Sequence, residues 1–170
     1  FLLKMRKPKA VLEIGTAVGF SGMLISEHVA EDTRIDTIEK VPIRLKAAKK
    51  NFQKYGKQDR ICLYEGDAAV VLQQLAEQGK TYDFIFMDAA KGQYIHFLPD
   101  ILRLPSNGGI LVSDNVLQDG DLIESHFAVE RRNRTIYKRM REYLYVLKNH
   151  EQLETSILPL GDGVTLSVKK

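Results

Sequence analysis

Five short β-rich runs, AVLEIG (10–15), RIDTIE (34–39), RICLYEG (60–66), YDFIFMD (82–88) and GGILVSD (108–114), recur along the chain with helical patterns between them. Strands that alternate with helices are the signature of βαβ units, and such units build a mostly parallel sheet covered on both faces. One intervening segment, 41–56, carries Val41, Leu45, Ala48, Phe52 and Tyr55 at helical spacing among five cations, with Pro42 suited to a first turn and Gly56 to the end. Past Asp114 the rhythm changes. The spacing of Ile136, Met140, Tyr143, Leu144 and Leu147 predicts a long helix over about 128–148, and LETSILPL and GVTLSVKK follow, separated by Gly161-Asp162. That short link predicts a hairpin, so the last strand runs antiparallel to its neighbour. The expected fold class is α/β: a three-layer αβα Rossmann-like domain with a mostly parallel seven-stranded sheet and an antiparallel C-terminal hairpin.

At 170 residues, with 44% hydrophobic and 28% charged residues, the chain suits one compact domain with a substantial core. Its only cysteine, Cys62, excludes an internal disulfide and favours a reducing compartment. No apolar run reaches bilayer-spanning length and no signal-peptide pattern opens the chain, so a cytoplasmic protein without a membrane partner is expected. The first residues, FLLKM, read like the last turns of a helix that begins upstream.

In an open α/β sheet, ligands bind beyond the carboxyl ends of the strands. Two such ends carry hard oxygen ligands: Asp88 closes YDFIFMD, and Asp114-Asn115 closes GGILVSDN. Two carboxylates and an amide carbonyl, with no His or Cys beside them, suit Mg²⁺ better than zinc. Lys91, three residues after Asp88, allows metal and base to share one substrate. His28, His96, His126 and His150 show no metal-ligand spacing, and Cys62 reads as a buried strand residue.

The remaining strand ends point to a nucleotide-like cofactor. The turn EIGTAVGFSG places Gly15 and Gly19 where backbone can approach a ligand at a helix N-terminus. It is not G-x-G-x-x-G, which disfavours an NAD-dependent oxidoreductase. An acidic residue, Glu13, precedes the first glycine and can hold a cationic amino acid moiety. Glu39 is placed for ribose hydroxyls, and Gly66-Asp67-Ala68 can flank an adenine. Each feature alone is what an ordinary turn would show; their order on three successive strand ends favours the cofactor.

Taken together, VLEIGTAVGFSG, IDTIEK, YEGDA, DFIFMDAAKGQY, GGILVSDNVL and PLGDGVTLSVKK resemble the S-adenosylmethionine-dependent O-methyltransferases of the catechol and caffeoyl-CoA type. The resemblance implies that Glu13, Gly15 and Ser21 line the methionine part of S-adenosylmethionine, that Glu39 binds its ribose, and that Asp67 and Ala68 neighbour its adenine. It assigns Asp88, Asp114 and Asn115 to Mg²⁺, with Asp88 also bordering the cofactor, and Lys91 to proton abstraction. The family carries further N-terminal helices that cover the substrate; residues 1–170 are expected to be the methyltransferase domain without most of them, and a homodimer is compatible.

The acceptor must present vicinal oxygens, as a catechol does with two hydroxyls and 5-hydroxyuridine does with its 5-hydroxyl and O4. Within the family, RRNRTI resembles the bacterial enzymes that methylate 5-hydroxyuridine in tRNA. The net charge is only +3, yet residues 131–141, RRNRTIYKRMR, hold six cations and no acid. Arg131, Arg134, Lys138 and Arg141 fall on one helical stripe, a face suited to phosphates. The leading expectation is therefore a tRNA anticodon-loop substrate, with Arg131, Arg134 and Lys138 as nucleic-acid contacts. Small catechols or related phenols are the alternative, and a non-catalytic RNA-binding domain is a reading of another class.

Overall fold

The computed structural model describes residues 1–117 and 134–170. Seven strands, β1 (Ala10–Ile14), β2 (Arg34–Glu39), β3 (Ile61–Glu65), β4 (Tyr82–Met87), β5 (Pro105–Ser113), β6 (Leu153–Leu158) and β7 (Val164–Lys169), form one sheet in the order β3-β2-β1-β4-β5-β7-β6. The first five run parallel; β7 pairs antiparallel with both β5 and β6. The expected fold class holds, with the terminal hairpin inserted so that its second strand, not its first, joins the parallel sheet.

Strand alternation decides which helices each face accepts. Leu12, Ile14, Ile38, Ile85, Met87 and Leu111 face α4 (Ala68–Glu77), α5 (Tyr94–Ile101) and α6 (Arg134–Asn149). Val11, Ile35, Phe84 and Val112 face α2 (Phe20–His28) and α3 (Pro42–Lys54), with Leu2 and Leu3 of the short α1 (Leu2–Arg6) at the margin. Each fully buried leucine or isoleucine in these layers contributes about 1.5–3 kcal/mol.

Two expectations are corrected here. Cys62 is exposed, because β3 lies at the sheet edge. On α6 the buried face is Tyr137, Met140, Tyr143 and Leu147; Ile136 and Leu144 flank it half-buried. Residues 128–133 of the expected helix lie outside the described residues. Among the described residues, no helix is long and apolar enough to cross a membrane.

The strand order reverses between β1 and β4, which are neighbours in space but not in sequence. Switch points of this kind open a crevice at the carboxyl ends of the strands. The ladder continues one residue past each strand there: Asp88 N–H donates to Ile14 O at 3.0 Å, and Asp114 N–H to Met87 O at 3.0 Å. Gly15, Asp88 and Asp114 therefore stand side by side.

Candidate active site

Beyond these ends lies a cavity of about 500 Å³, lined by Gly15, Glu39, Asp67, Ala68 and Asp88 among others, a size ordinary for a small-molecule site. Gly15 has φ +108°, and a Cβ there would fall 2.0 Å from the Asp88 carbonyl oxygen. Only glycine lets β1 and β4 close this tightly at the cavity floor.

Glu39 is buried, and its carboxylate is fixed by three backbone amides: Oε2 accepts from Ala17 at 3.0 Å, and Oε1 from Lys40 and Val41 at 2.8 and 2.9 Å. With Oε1 accepting twice and Oε2 once, one acceptor position on Oε2 is left for a ligand in the cavity that Glu39 lines. Asp67 caps the first turn of α4 by accepting from Ala69 N–H at 3.0 Å. The Lys40 ammonium, 3.0 Å from Asp67, holds that carboxyl below the usual carboxylate range.

Glu13 and Ser21 do not line the cavity. The alternation that aims Ile14 at it aims Glu13 away, against the first turn of α2, where a Cβ on Gly22 would lie 3.0 Å from Glu13 Oε2. Glu13 is fully buried. Thr37 Oγ1 donates to its Oε2 at 2.5 Å, which leaves the Thr16 hydroxyl to donate to Thr37 across 2.6 Å. Burial pushes the Glu13 carboxyl up, against the opposing effect of the Ser21 and Thr37 hydroxyls. Its other oxygen, Oε1, is buried without a hydrogen-bond partner among the described residues. An uncompensated carboxylate oxygen is costly.

The second half of the site is built around Lys91, in the 3-10 turn Lys91–Gln93. Its ammonium donates to Asp88 Oδ1 at 3.0 Å, Asn115 Oδ1 at 2.9 Å and Tyr94 Oη at 3.0 Å. Asp114 adjoins them and accepts from Asn115 N–H at 2.8 Å. Among the described residues no three His, Cys, Asp or Glu side chains converge; the set is two carboxylates and one amide. The donor chemistry fits Mg²⁺, since all three are hard oxygens and two of them already converge on one positive charge.

Tyr94 is the fastener of this half, a role that no local sequence pattern signals. It is fully buried, and its hydroxyl lies 3.0 Å from Met87 O and 3.2 Å from Asp114 O, so it ties the ends of β4 and β5 together beneath Lys91. Burial raises its pKa, so the hydroxyl keeps its proton for that task. Tyr143 packs edge-on at 5.4 Å and shares a 2.6 Å hydrogen bond with Ser113.

The cationic helix is partly spent on the protein itself. Arg139 donates to Gly92 O at 3.2 Å and so anchors the Lys91 turn to α6; Arg141 donates to Tyr137 Oη at 2.7 Å. Arg134 and Lys138 border an open cavity of about 690 Å³ whose walls, among the described residues, all belong to α6. Arg131 lies outside the described residues.

The family model described as O-methyltransferase matches residues 1–170. Caffeoyl-CoA O-methyltransferase 2 of Populus trichocarpa is 33% identical over 97% of this chain and 68% of its own length. A catechol O-methyltransferase of Niastella koreensis is 28% identical over 99% of this chain and 77% of its own. The crystal structure of an SAH-bound methyltransferase from Podospora anserina superposes with a TM-score of 0.88 at 31% identity, covering 100% of this chain and 75% of that one.

Proposed function

The chain belongs to the O-methyltransferase family, S-adenosylmethionine-dependent enzymes, and from that premise we propose that it methylates one oxygen of a small catechol or related phenol in a reaction that Mg²⁺ would assist. The observation that carries this reading is the convergence of Asp88 Oδ1 and Asn115 Oδ1 on the Lys91 ammonium, at the rim of the cavity that Gly15 and Glu39 line.

In this reading Glu39 accepts from the ribose hydroxyls, Asp67 and Ala68 border the adenine, Gly15 admits the cofactor against the sheet, and Glu13 with Ser21 supports the methionine end from behind the loop. Asp88, Asp114 and Asn115 would hold the divalent cation, which when bound would supply Lewis acidity at the acceptor. Lys91, beside these ligands, would take the acceptor proton at Nζ once it has given up the ammonium proton it now shares with Asp88 and Asn115. Tyr94 and Arg139 keep Lys91 in register by holding its turn to β4, β5 and α6. Alignment of acceptor and methyl donor in one crevice supplies much of the rate through proximity.

The small-phenol acceptor is preferred over tRNA 5-hydroxyuridine because relatives named for caffeoyl-CoA and catechol match nearly the whole chain, whereas Arg139 and Arg141 serve internal contacts. The test is methyl transfer from S-adenosylmethionine to catechols and to hydroxyuridine-containing tRNA, each with and without chelator. Chelator-sensitive turnover of the catechol supports the reading; transfer to tRNA alone would replace its acceptor, and full turnover in chelator would remove its metal.

A further inference from the structure

We infer that Asp162, in the β6–β7 turn, is a positioning residue that sets which end of the Asn115 amide faces the cation. This rests on the metal reading above. Asn115 Nδ2 donates to Asp162 Oδ2 at 3.0 Å, across 47 residues of sequence. A primary amide has one accepting end and one donating end, and the two look alike to anything but a hydrogen-bond partner. A carboxylate accepts only, so it can face only the donating end. With Nδ2 turned to Asp162, Oδ1 is turned the opposite way, toward Lys91 Nζ at 2.9 Å and the charge shared with Asp88.

The turn is clamped to the Asn115 loop independently of that side chain. Val116 N–H donates to Gly163 O at 2.9 Å, and Leu117 N–H donates to Asp162 O at 2.8 Å. Leu117 fills the space beside Gly163, where a Cβ would fall 2.3 Å from its Cγ. These backbone and packing contacts survive truncation of Asp162 to alanine, because they use its carbonyl and not its carboxylate. The Asn115 backbone is itself held at φ +53°, and its amide is steered from one side by a lysine and from the other by an aspartate. Partners of metal ligands that fix orientation in this way typically govern affinity by 10- to 100-fold. Asp162 is solvent-exposed, which places it at the lower end.

The experiment is calorimetric titration with Mn²⁺ of the parent chain, Asp162→Ala, Asp162→Asn and Asp114→Ala. Titration with S-adenosylhomocysteine and thermal unfolding accompany each. Asp162→Ala is expected to bind Mn²⁺ about tenfold more weakly, with cofactor-product affinity and unfolding midpoint unchanged. Asp162→Asn keeps an acceptor for Asn115 Nδ2 and is expected to stay within about threefold of the parent. Asp114→Ala should lose binding outright. If Asp114→Ala loses Mn²⁺ while Asp162→Ala matches the parent, the role of Asp162 is overturned and the metal site stands. Undiminished binding by Asp114→Ala overturns both. Equal losses in the Ala and Asn variants would assign the effect to charge, and a fall in unfolding midpoint parallel to the loss would assign it to folding; either result overturns positioning.

Discussion

Replacing Gly15 by alanine tests whether the cavity floor is set by close approach of β1 and β4. The new Cβ would sit 2.0 Å from the Asp88 carbonyl oxygen and 2.9 Å from its carbon, roughly 1.4 Å inside ordinary contact with the oxygen. Neither backbone is free to retreat, since Gly15 N–H donates to Ile38 O at 3.1 Å and Asp88 N–H to Ile14 O at 3.0 Å. A φ of +108° lies beyond the left-handed region, which already costs an L-residue about 1–2 kcal/mol, and overpacking adds about 1–3 kcal/mol. Gly79→Ala is the internal control: it has φ +67° with nothing within 4 Å of the added Cβ, so it carries the backbone cost alone. For a chain of this size about 1 kcal/mol shifts the midpoint by roughly 2–4 °C. Gly15→Ala should therefore melt about 10 °C below the parent, and Gly79→Ala about 4 °C below. A shift of Asp88 approaching 1 Å should also lower turnover about 100-fold in Gly15→Ala and leave Gly79→Ala near the parent. Melting points within about 2 °C of one another, with equal turnover, would show that the two strands do not meet as tightly as this argument requires.

Three further predictions follow from single contacts. Because burial raises the Glu13 pKa above its ordinary 4.5, the folded state holds that proton more tightly than the unfolded state. Its stability contribution is thus fully present below that value and declines as pH rises toward the folded pKa; urea unfolding of parent and Glu13→Gln from pH 4 to 8 should show the parent losing ground with rising pH, and a constant difference would refute the linkage. Tyr143→Phe leaves the buried Ser113 hydroxyl without its 2.6 Å partner and should cost about 1–3 kcal/mol, read by denaturant unfolding, while the edge contact with Tyr94 remains. Replacing Arg131, Arg134 and Lys138 together by Gln should leave catechol methylation within about twofold; a tRNA salt slope shallower by roughly two units in the variant would bring back the nucleic-acid acceptor.

Local pattern made much of this fold legible before any coordinates. RIDTIE occupies residues 34–39 as read, and Asp88 and Asp114-Asn115 fall just past β4 and β5, because alternation and strand-ending residues act over a few neighbours. The parallel sheet, its layers and the chemistry of the strand ends all depend on that short-range code. Other facts needed the whole chain. β7 slips between β5 and β6 because its partners are chosen by edge pairing, which no local period records. Cys62 is exposed because β3 ends the sheet, and Glu13 turns from the cavity because its neighbour Ile14 faces it. Tyr94 reaches Asp114 across 20 residues, Arg139 reaches Gly92 across 47, and Asp162 reaches Asn115 across 47. A tyrosine, an arginine and a turn aspartate are unremarkable where they stand in sequence; they acquire their tasks only when sheet topology brings the β4, β5 and β6–β7 ends to one rim, where a few ångströms decide which oxygen a donor can reach.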